Sequence, residues 1–428
     1  MNVCHLLNFY RALLPLFEMA GMSKNKVATV QGSFVFLLLF FLYFGSNIVY
    51  YLVAMLEGSS VVDGIEFDVN ENMSWSLGLT LILLLAQFFV VIKFKVMNVK
   101  EKIHDDFYNQ LLYFSLIYQF IFYLYNLVYG YGVAGQSISQ DSVFKYLFYV
   151  ISPDLIAVIV SVLVGKSRLY YLNLFFLVFS MLSRGWAGGI ILLGFVLLIN
   201  SNYSSIKDVV RRSGFKILFF LIFGVILIPV LNAFKFWVRD DGGEGLSYFF
   251  DYFLGDGSSF SLIGNSILYL LSRFSIVGSA DLIFDNQAML RDAYVAGTIA
   301  PFWTENMLVS SFYRVWMGGG VNASNYIVTE ILGYSDATWN SHVGLAGWLI
   351  LLPASSTFFF LFYYVTLLLT GLFLSRILGG RVFSMVSVLS LAYLYHGWLS
   401  SFILVVYCLL FVIIYRFIFF RTKSALAV

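Results

Sequence analysis

Arginine, histidine and carboxylate side chains stand out in this sequence because most of their surroundings are apolar. Arg184 is the only charged residue between Leu169 and Ile199, in the stretch LYYLNLFFLVFSMLSRGWAGGIILLGFVLLI. A charge at the centre of a bilayer-spanning helix costs about 3 kcal/mol. We therefore expect Arg184 either to reach polar surroundings by snorkelling or to meet a specific anion, since guanidinium groups match phosphate oxygens bidentately.

Other basic residues are spaced singly through the segment 235–341, which contains no convincing membrane span. They are Lys235, Arg239, Arg273, Arg291 and Arg314. The segment is net acidic and rich in Tyr, Phe and Trp, whose faces suit sugar rings. Nucleic-acid binding needs clustered positive charge, so no nucleic-acid partner is expected. For each arginine taken alone, a structural salt bridge is the alternative.

Two further polar stretches are candidates for function. His342 precedes a glycine-broken apolar entry to a span, NSHVGLAGWLILLPASS, whose first part suits a half-helix that lines a cavity. Ser152-Pro153-Asp154 interrupts an apolar run. It is either a functional aspartate at membrane depth or a helix start, with Ser as the cap and Pro in the first turn. A structural role is the alternative for His342, and it is the more common one for a lone interfacial histidine.

The composition predicts a membrane protein that crosses the bilayer several times. The chain is 61% hydrophobic and 11% charged, with a mean hydropathy of +0.88. Soluble domains carry about 25% charged residues. The two cysteines, Cys4 and Cys408, are far apart in apolar contexts and suggest no disulfide. The amphipathic segment 6–20 is expected at the membrane surface.

Apolar runs of suitable length predict about ten spans. They cover 34–56, 75–95, 108–129, 145–165, 168–183, 185–205, 216–234, 343–375 (broken near Pro353), 382–398 and 400–420. We divide the chain into an N-terminal membrane bundle (1–234), a large outer loop (235–341) and C-terminal membrane helices (342–428).

The charges of the connections set the orientation. Most Lys and Arg residues fall in alternate connections, so the positive-inside rule places these and the N-terminus in the cytoplasm. Lys166 and Lys207 then both lie inside, and the chain between them makes a hairpin that turns at Arg184. Arg184 is thereby predicted at the outer face rather than at the bilayer centre.

Several stretches in order resemble the Wzy-type O-antigen polymerases, which join repeat units of bacterial surface polysaccharides. They are KYLFYVISPDL, MLSRGWAGG, NAFKFW, YLLSRFS, NASNYIVTEILG and WNSHVGLAGWL, which together span roughly 145–355. The loop 130–144 is short and has no arginine, so a second arginine-rich outer loop, present in some members, is missing.

The resemblance implies an all-α polytopic fold similar to that of O-antigen ligases, in a bacterial inner membrane. It also implies a glycosyltransferase that moves a growing glycan from undecaprenyl diphosphate onto the next lipid-linked repeat unit at the periplasmic face. The expected partners are undecaprenyl-diphosphate-linked oligosaccharides, membrane lipids, and a chain-length regulator and flippase of the same pathway. No metal or other cofactor is expected.

Site roles follow from this chemistry, in which charge develops on a leaving diphosphate. Arg184, Arg273 and Arg291 are the first candidates for diphosphate contacts, and Arg239, Arg314 and Lys235 are further candidates. For the base that activates the acceptor hydroxyl, His342 is the first candidate, followed by Glu330 and Asp336. The alternatives are an O-antigen ligase or another lipid-linked glycosyltransferase, and a lipid-linked oligosaccharide flippase or other transporter.

Overall fold

Helices dominate the architecture. The computed structural model describes residues 27–62, 65–94, 105–130, 144–164, 167–186, 188–201, 214, 271–334 and 341–426. Six helices in these ranges are long and apolar enough to cross a bilayer. The chain is therefore a helical, multi-pass membrane protein, as its composition predicts.

The described N-terminal part contains seven helices and one hairpin of strands. They are α1 (Val27–Glu57), β1 (Ser59–Val62), β2 (Ile65–Asp68), α2 (Asn72–Phe94), α3 (Asp105–Tyr129), α4 (Phe144–Val150), α5 (Pro153–Leu163), α6 (Arg168–Ser183) and α7 (Gly188–Ile199).

The described C-terminal part is also helical. It contains α8 (Val277–Asp285), α9 (Gln287–Val295), a 3₁₀ turn (Phe302–Glu305), α10 (Met307–Met317), α11 (Ala323–Tyr326), α12 (Gly344–Leu351), α13 (Ala354–Leu378), α14 (Gly380–Leu389) and α15 (Leu399–Leu426). Wider π-helical segments continue α11 over Ile327–Ile331 and α14 over Ser390–Tyr395.

The predicted spans correspond closely to these helices. The long ones match α1, α2, α3, the α4–α5 segment, α13 and α15, and three shorter apolar helices match α6, α7 and α14 with its π segment. The predicted break near Pro353 separates the short α12 from α13. The predicted span 216–234 lies outside the described residues, so the number ten stays a prediction.

A small sheet departs from the purely helical prediction. In the connection after α1, β1 and β2 pair antiparallel, with Ser59 opposite Asp68 and Val62 opposite Ile65. The Tyr50 hydroxyl accepts from the Val61 amide at 3.0 Å and donates to the Val61 carbonyl at 2.6 Å. Hydrogen bonds to the end of α1 thus hold the hairpin against the bundle.

The short helix α5 lies at the centre of the N-terminal bundle. Every residue from Leu155 to Leu163 is buried. Ser152 caps the helix through a hydrogen bond from the Leu155 amide, and Pro153 occupies the first turn. The helix-start interpretation of Ser-Pro-Asp is therefore confirmed.

Asn173 links its own helix, α6, to both α3 and α5 through hydrogen bonds. Its amide nitrogen donates to the Ala157 carbonyl at 3.0 Å and to the Ser161 hydroxyl at 2.7 Å. Its amide oxygen accepts from Ser115 at 2.8 Å and from Gln119 at 2.6 Å, both on α3. Buried polar groups need such partners, because apolar surroundings supply none.

The C-terminal part of the predicted outer loop packs into the bundle. Ile276, Ala280 and Ile283 belong to the same hydrophobic core as Val343 and Leu345, which follow the predicted boundary at 342. In the described residues this part of the loop therefore forms one packed body with the membrane helices. The three-part division itself stays a prediction.

Replacing Asn173 with Leu is expected to destabilise the protein by about 2–4 kcal/mol, because buried partners on α3 and α5 lose their hydrogen bonds. The measurement is the thermal unfolding midpoint of purified protein in detergent. Phe175→Leu is the matched control, since Phe175 is on the same helix and 61% exposed. Equal midpoints for the two variants would contradict the central role of Asn173.

Candidate functional site

Arg184 forms a buried ion pair. It follows α6 as its C-cap, and its guanidinium donates to a carboxylate oxygen of Asp154 at 2.6 Å. Only 8% of the Arg184 side chain and 15% of the Asp154 side chain are exposed. The Nε atom donates to the Ser180 carbonyl at 2.9 Å, and the guanidinium lies 4.8 Å from the Phe122 ring centre.

These contacts favour a structural role for Arg184. The predicted hairpin is present, with Gly185 in the left-handed region at its turn. However, the guanidinium points into the protein, so neither snorkelling to lipid nor an open anion contact describes it. A cation at the C-terminal end of α6 is also stabilised by the helix dipole.

Arg291 also has a structural partner. Its Nε atom donates to the Ile350 carbonyl at 3.2 Å, and Gln287 donates to the same oxygen at 2.8 Å. Ile350 belongs to the last turn of α12, whose carbonyls lack helical partners. Arg291 thus supplies a hydrogen bond to a carbonyl oxygen at the C-terminal end of α12, where its positive charge is favourable.

Arg273 and His342 meet, although 69 positions separate them in the chain. The Arg273 Nη1 atom lies 2.8 Å from His342 Nε2. A guanidinium group carries only donors, so Nε2 must be the acceptor and the neutral ring carries its hydrogen on Nδ1. Nδ1 is buried and has no hydrogen-bond partner among the described residues.

A second histidine, His396, completes this cluster and was not predicted. Its ring centre lies 5.2 Å from that of His342, and its Nε2 atom is 2.7 Å from the Tyr43 hydroxyl. Its Nδ1 atom is buried and likewise lacks a partner in the described chain. Trp398 lies against both rings, with centroid distances of 4.7 Å to His342 and 5.4 Å to His396.

Backbone geometry fixes the two histidines against each other. The Gly344 amide donates to the His396 carbonyl at 3.1 Å. Gly397 has φ of 77°, and a Cβ there would lie 2.8 Å from the Gly344 nitrogen. Only glycine allows this approach and this left-handed conformation without strain. The π segment of α14 ends directly before His396, and such segments often occur at functional sites.

Asn47 connects the cluster to α1 and to the start of α8. Its side-chain oxygen accepts from the Ile276 amide at 3.1 Å and the Ser275 hydroxyl at 3.3 Å. Its nitrogen donates to the Tyr43 carbonyl at 2.6 Å and to the Tyr395 hydroxyl at 2.9 Å. The segment that carries Arg273 is thereby held beside Tyr43 and His396.

The surroundings of both histidines disfavour the protonated ring. Burial lowers the pKa of His342 well below its usual range, and His396 and Arg273 lower it further. Burial, followed by the positive charge of Arg273, lowers the pKa of His396 to about 3. The cluster thus contains one permanent cation and two neutral imidazoles, which can each donate or accept a hydrogen bond.

The structure describes the backbone of two of the remaining predicted residues. Glu330 is exposed on the π segment Ile327–Ile331, and Arg314 lies in α10. Lys235, Arg239 and Asp336 lie outside the described residues. Among the residues that are described, no group of three His, Cys, Asp or Glu side chains is arranged to hold a metal ion.

A cavity of about 320 Å³ lies elsewhere, between α2, α8 and α12. Its wall is mostly apolar, formed by Asn72, Trp75, Ser76, Leu79, Phe284 and Ile350. It shares no residue with the histidine cluster, so we take the cluster of Arg273, His342, His396 and Tyr43 as the candidate site.

Searches with the chain match no protein-family model, no curated protein and no solved structure.

Replacing Asp154 with Asn is expected to destabilise the protein by about 3–5 kcal/mol, because it leaves the Arg184 charge buried without a counter-charge. The double variant Asp154→Leu with Arg184→Met removes both charges and should recover much of the loss. The unfolding midpoint in detergent measures both. Arg168→Gln, at an exposed position, is the control. A wild-type midpoint for Asp154→Asn would contradict the structural role.

Proposed function

We propose that this chain is a glycosyltransferase of the Wzy type, which polymerises the undecaprenyl-diphosphate-linked repeat units of a bacterial surface polysaccharide. The observation that carries the proposal is the contact between Arg273 and His342 at 2.8 Å. One residue comes from the long loop and the other from the entry to the next membrane helix. The sequence predicts complementary roles for them in one reaction, with Arg273 as a diphosphate contact and His342 as the base.

The reaction requires stabilisation of negative charge and acceptance of a proton. The acceptor hydroxyl oxygen forms a bond to the anomeric carbon of the donor glycan, and the bond from that carbon to the diphosphate oxygen breaks. The diphosphate leaves with the electron pair, and the hydroxyl proton passes to a base. Arg273 is a permanent cation that stabilises the diphosphate, and two neutral imidazoles stand beside it.

Arg273 is the strongest of the predicted arginines for this role. Arg184 is neutralised by Asp154, and Arg291 is engaged by the end of α12. Arg273 is half-buried and lies 2.8 Å from the imidazole of His342, the predicted base.

The membrane location supports a lipid-linked substrate. A prenyl-linked glycan presents its diphosphate where hydrocarbon meets water, which a multi-pass helical protein can reach directly. The predicted orientation puts the N-terminus in the cytoplasm and the site at the periplasmic side of an inner membrane. The proposed partners remain undecaprenyl-diphosphate-linked oligosaccharides and membrane lipids, with a chain-length regulator and a flippase acting in the same pathway.

The test replaces Arg273 with Ala and with Lys in the native host, after deletion of the chromosomal copy. We expect Arg273→Ala to reduce the surface-polysaccharide ladder to a single repeat unit at unchanged protein level, because the leaving diphosphate loses its cation. Arg273→Lys should rescue poorly, since a lysine cannot make bidentate phosphate contacts. The readout is a gel of the polysaccharide, with a blot for protein.

Arg168→Ala is the matched control, because it removes an exposed arginine remote from the cluster. A normal ladder for Arg273→Ala would exclude this site. Failure of the unmodified gene to restore the ladder in the deletion strain would exclude the polymerase function. Loss of every repeat, including the first, would indicate a ligase, and accumulation of lipid-linked units on the cytoplasmic side would indicate a flippase.

A further inference from the structure

The two histidines of the cluster are not equivalent in what they can offer a substrate. Arg273 donates to Nε2 of His342, so this ring has no remaining lone pair and presents only the Nδ1 hydrogen. In this arrangement His342 is a hydrogen-bond donor. It cannot accept a proton unless the contact with Arg273 breaks.

His396, in contrast, can act as a hydrogen-bond acceptor. Its Nε2 atom faces the Tyr43 hydroxyl, which can accept a hydrogen bond as well as donate one. When Nε2 carries the hydrogen and donates it to Tyr43, the lone pair of His396 is on Nδ1. His396 is only 4% exposed, and this Nδ1 atom has no partner among the described residues.

With that tautomer of His396, the pair presents one hydrogen-bond donor and one acceptor. The two ring centres lie 5.2 Å apart, so both unpaired Nδ1 atoms belong to one small buried cluster. A hydroxyl group, which both donates and accepts, fits this arrangement better than a carboxylate or an ammonium group. A hydroxyl that bonds to both Nδ1 atoms removes the cost of leaving them buried and unpaired.

We propose that His396 is the catalytic base, that Tyr43 fixes its tautomer, and that His342 orients the acceptor hydroxyl by donating to it. This rests on the proposed glycosyl transfer and names the atoms of its proton step. The hydroxyl donates to Nδ1 of His396 and accepts from Nδ1 of His342. As the new glycosidic bond forms, the hydroxyl proton moves to His396 Nδ1, and the diphosphate leaves beside Arg273.

Trp398 controls access to the pair in this arrangement. The indole lies against both imidazoles and is half-buried, whereas both histidines are more than nine-tenths buried. The acceptor sugar enters by displacing Trp398, whose aromatic face then remains available to stack on the sugar ring.

The experiment makes the same substitution at both histidines in the full-length protein, reconstituted in liposomes. The substrate is the lipid-linked oligosaccharide extracted from membranes of the deletion strain. Glutamine can accept from Arg273 and donate to a hydroxyl, but it cannot take up a proton. We therefore expect His342→Gln to lose about 10-fold in rate and His396→Gln to lose at least about 100-fold, as removal of a general base does.

Two further variants separate chemistry from folding. His396→Ala should regain activity when imidazole is added, whereas Tyr43→Phe should lose about 10-fold without any response to imidazole. Inactive wild-type protein with this substrate would refute the proposed function. Active wild type with an active His396→Gln variant, or with imidazole rescue at His342→Ala instead, would refute only the assignment of the base.

A measurement without substrate tests the same assignment. Nitrogen-15 spectra of histidine-labelled protein should show His342 with its hydrogen on Nδ1 and His396 with its hydrogen on Nε2. Matching tautomers at the two residues would overturn the proposal, whatever the variants show.

Discussion

The cost of leaving a polar group unpaired in apolar surroundings governs this structure. In the described helices, several buried polar side chains are tied to one another across helix boundaries. Asn173 joins α3, α5 and α6, and Asn47 joins α1 to the start of α8 and to Tyr395. Gln87 joins α2 to Tyr364 and Ser390. Each of these side chains bonds to particular groups on the neighbouring helices. The contacts therefore set the register of helices whose apolar faces would tolerate sliding.

Some buried polar atoms of the described residues have no such partner, and two of them are the Nδ1 atoms of the histidine cluster. The other ring nitrogens of these histidines face Arg273 and Tyr43. Buried polar atoms without partners are costly, so each of them calls for an explanation.

The sequence was sufficient for the features that depend on local composition. Apolar length predicted the long helices, and Ser152 with Pro153 predicted the start of α5. It was insufficient where the partner is distant in the chain. Nothing near Arg184 indicated Asp154 as its counter-charge, and His396 follows an apolar helix with no neighbouring group of complementary chemistry. Two local features mark His396 in the structure, the π segment before it and the left-handed Gly397 after it. Only Gly397 is visible in the sequence, as the glycine itself.

The contact between Gly344 and Gly397 has a consequence for how the site tolerates change. The distance between the histidines is set by two main chains in direct contact rather than by side chains that can repack. Side-chain variation in the surrounding helices can alter the shape of the entrance while the spacing of the two imidazoles stays constant. The spacing of the two imidazoles and the shape of their surroundings are thus mechanically independent in this fold.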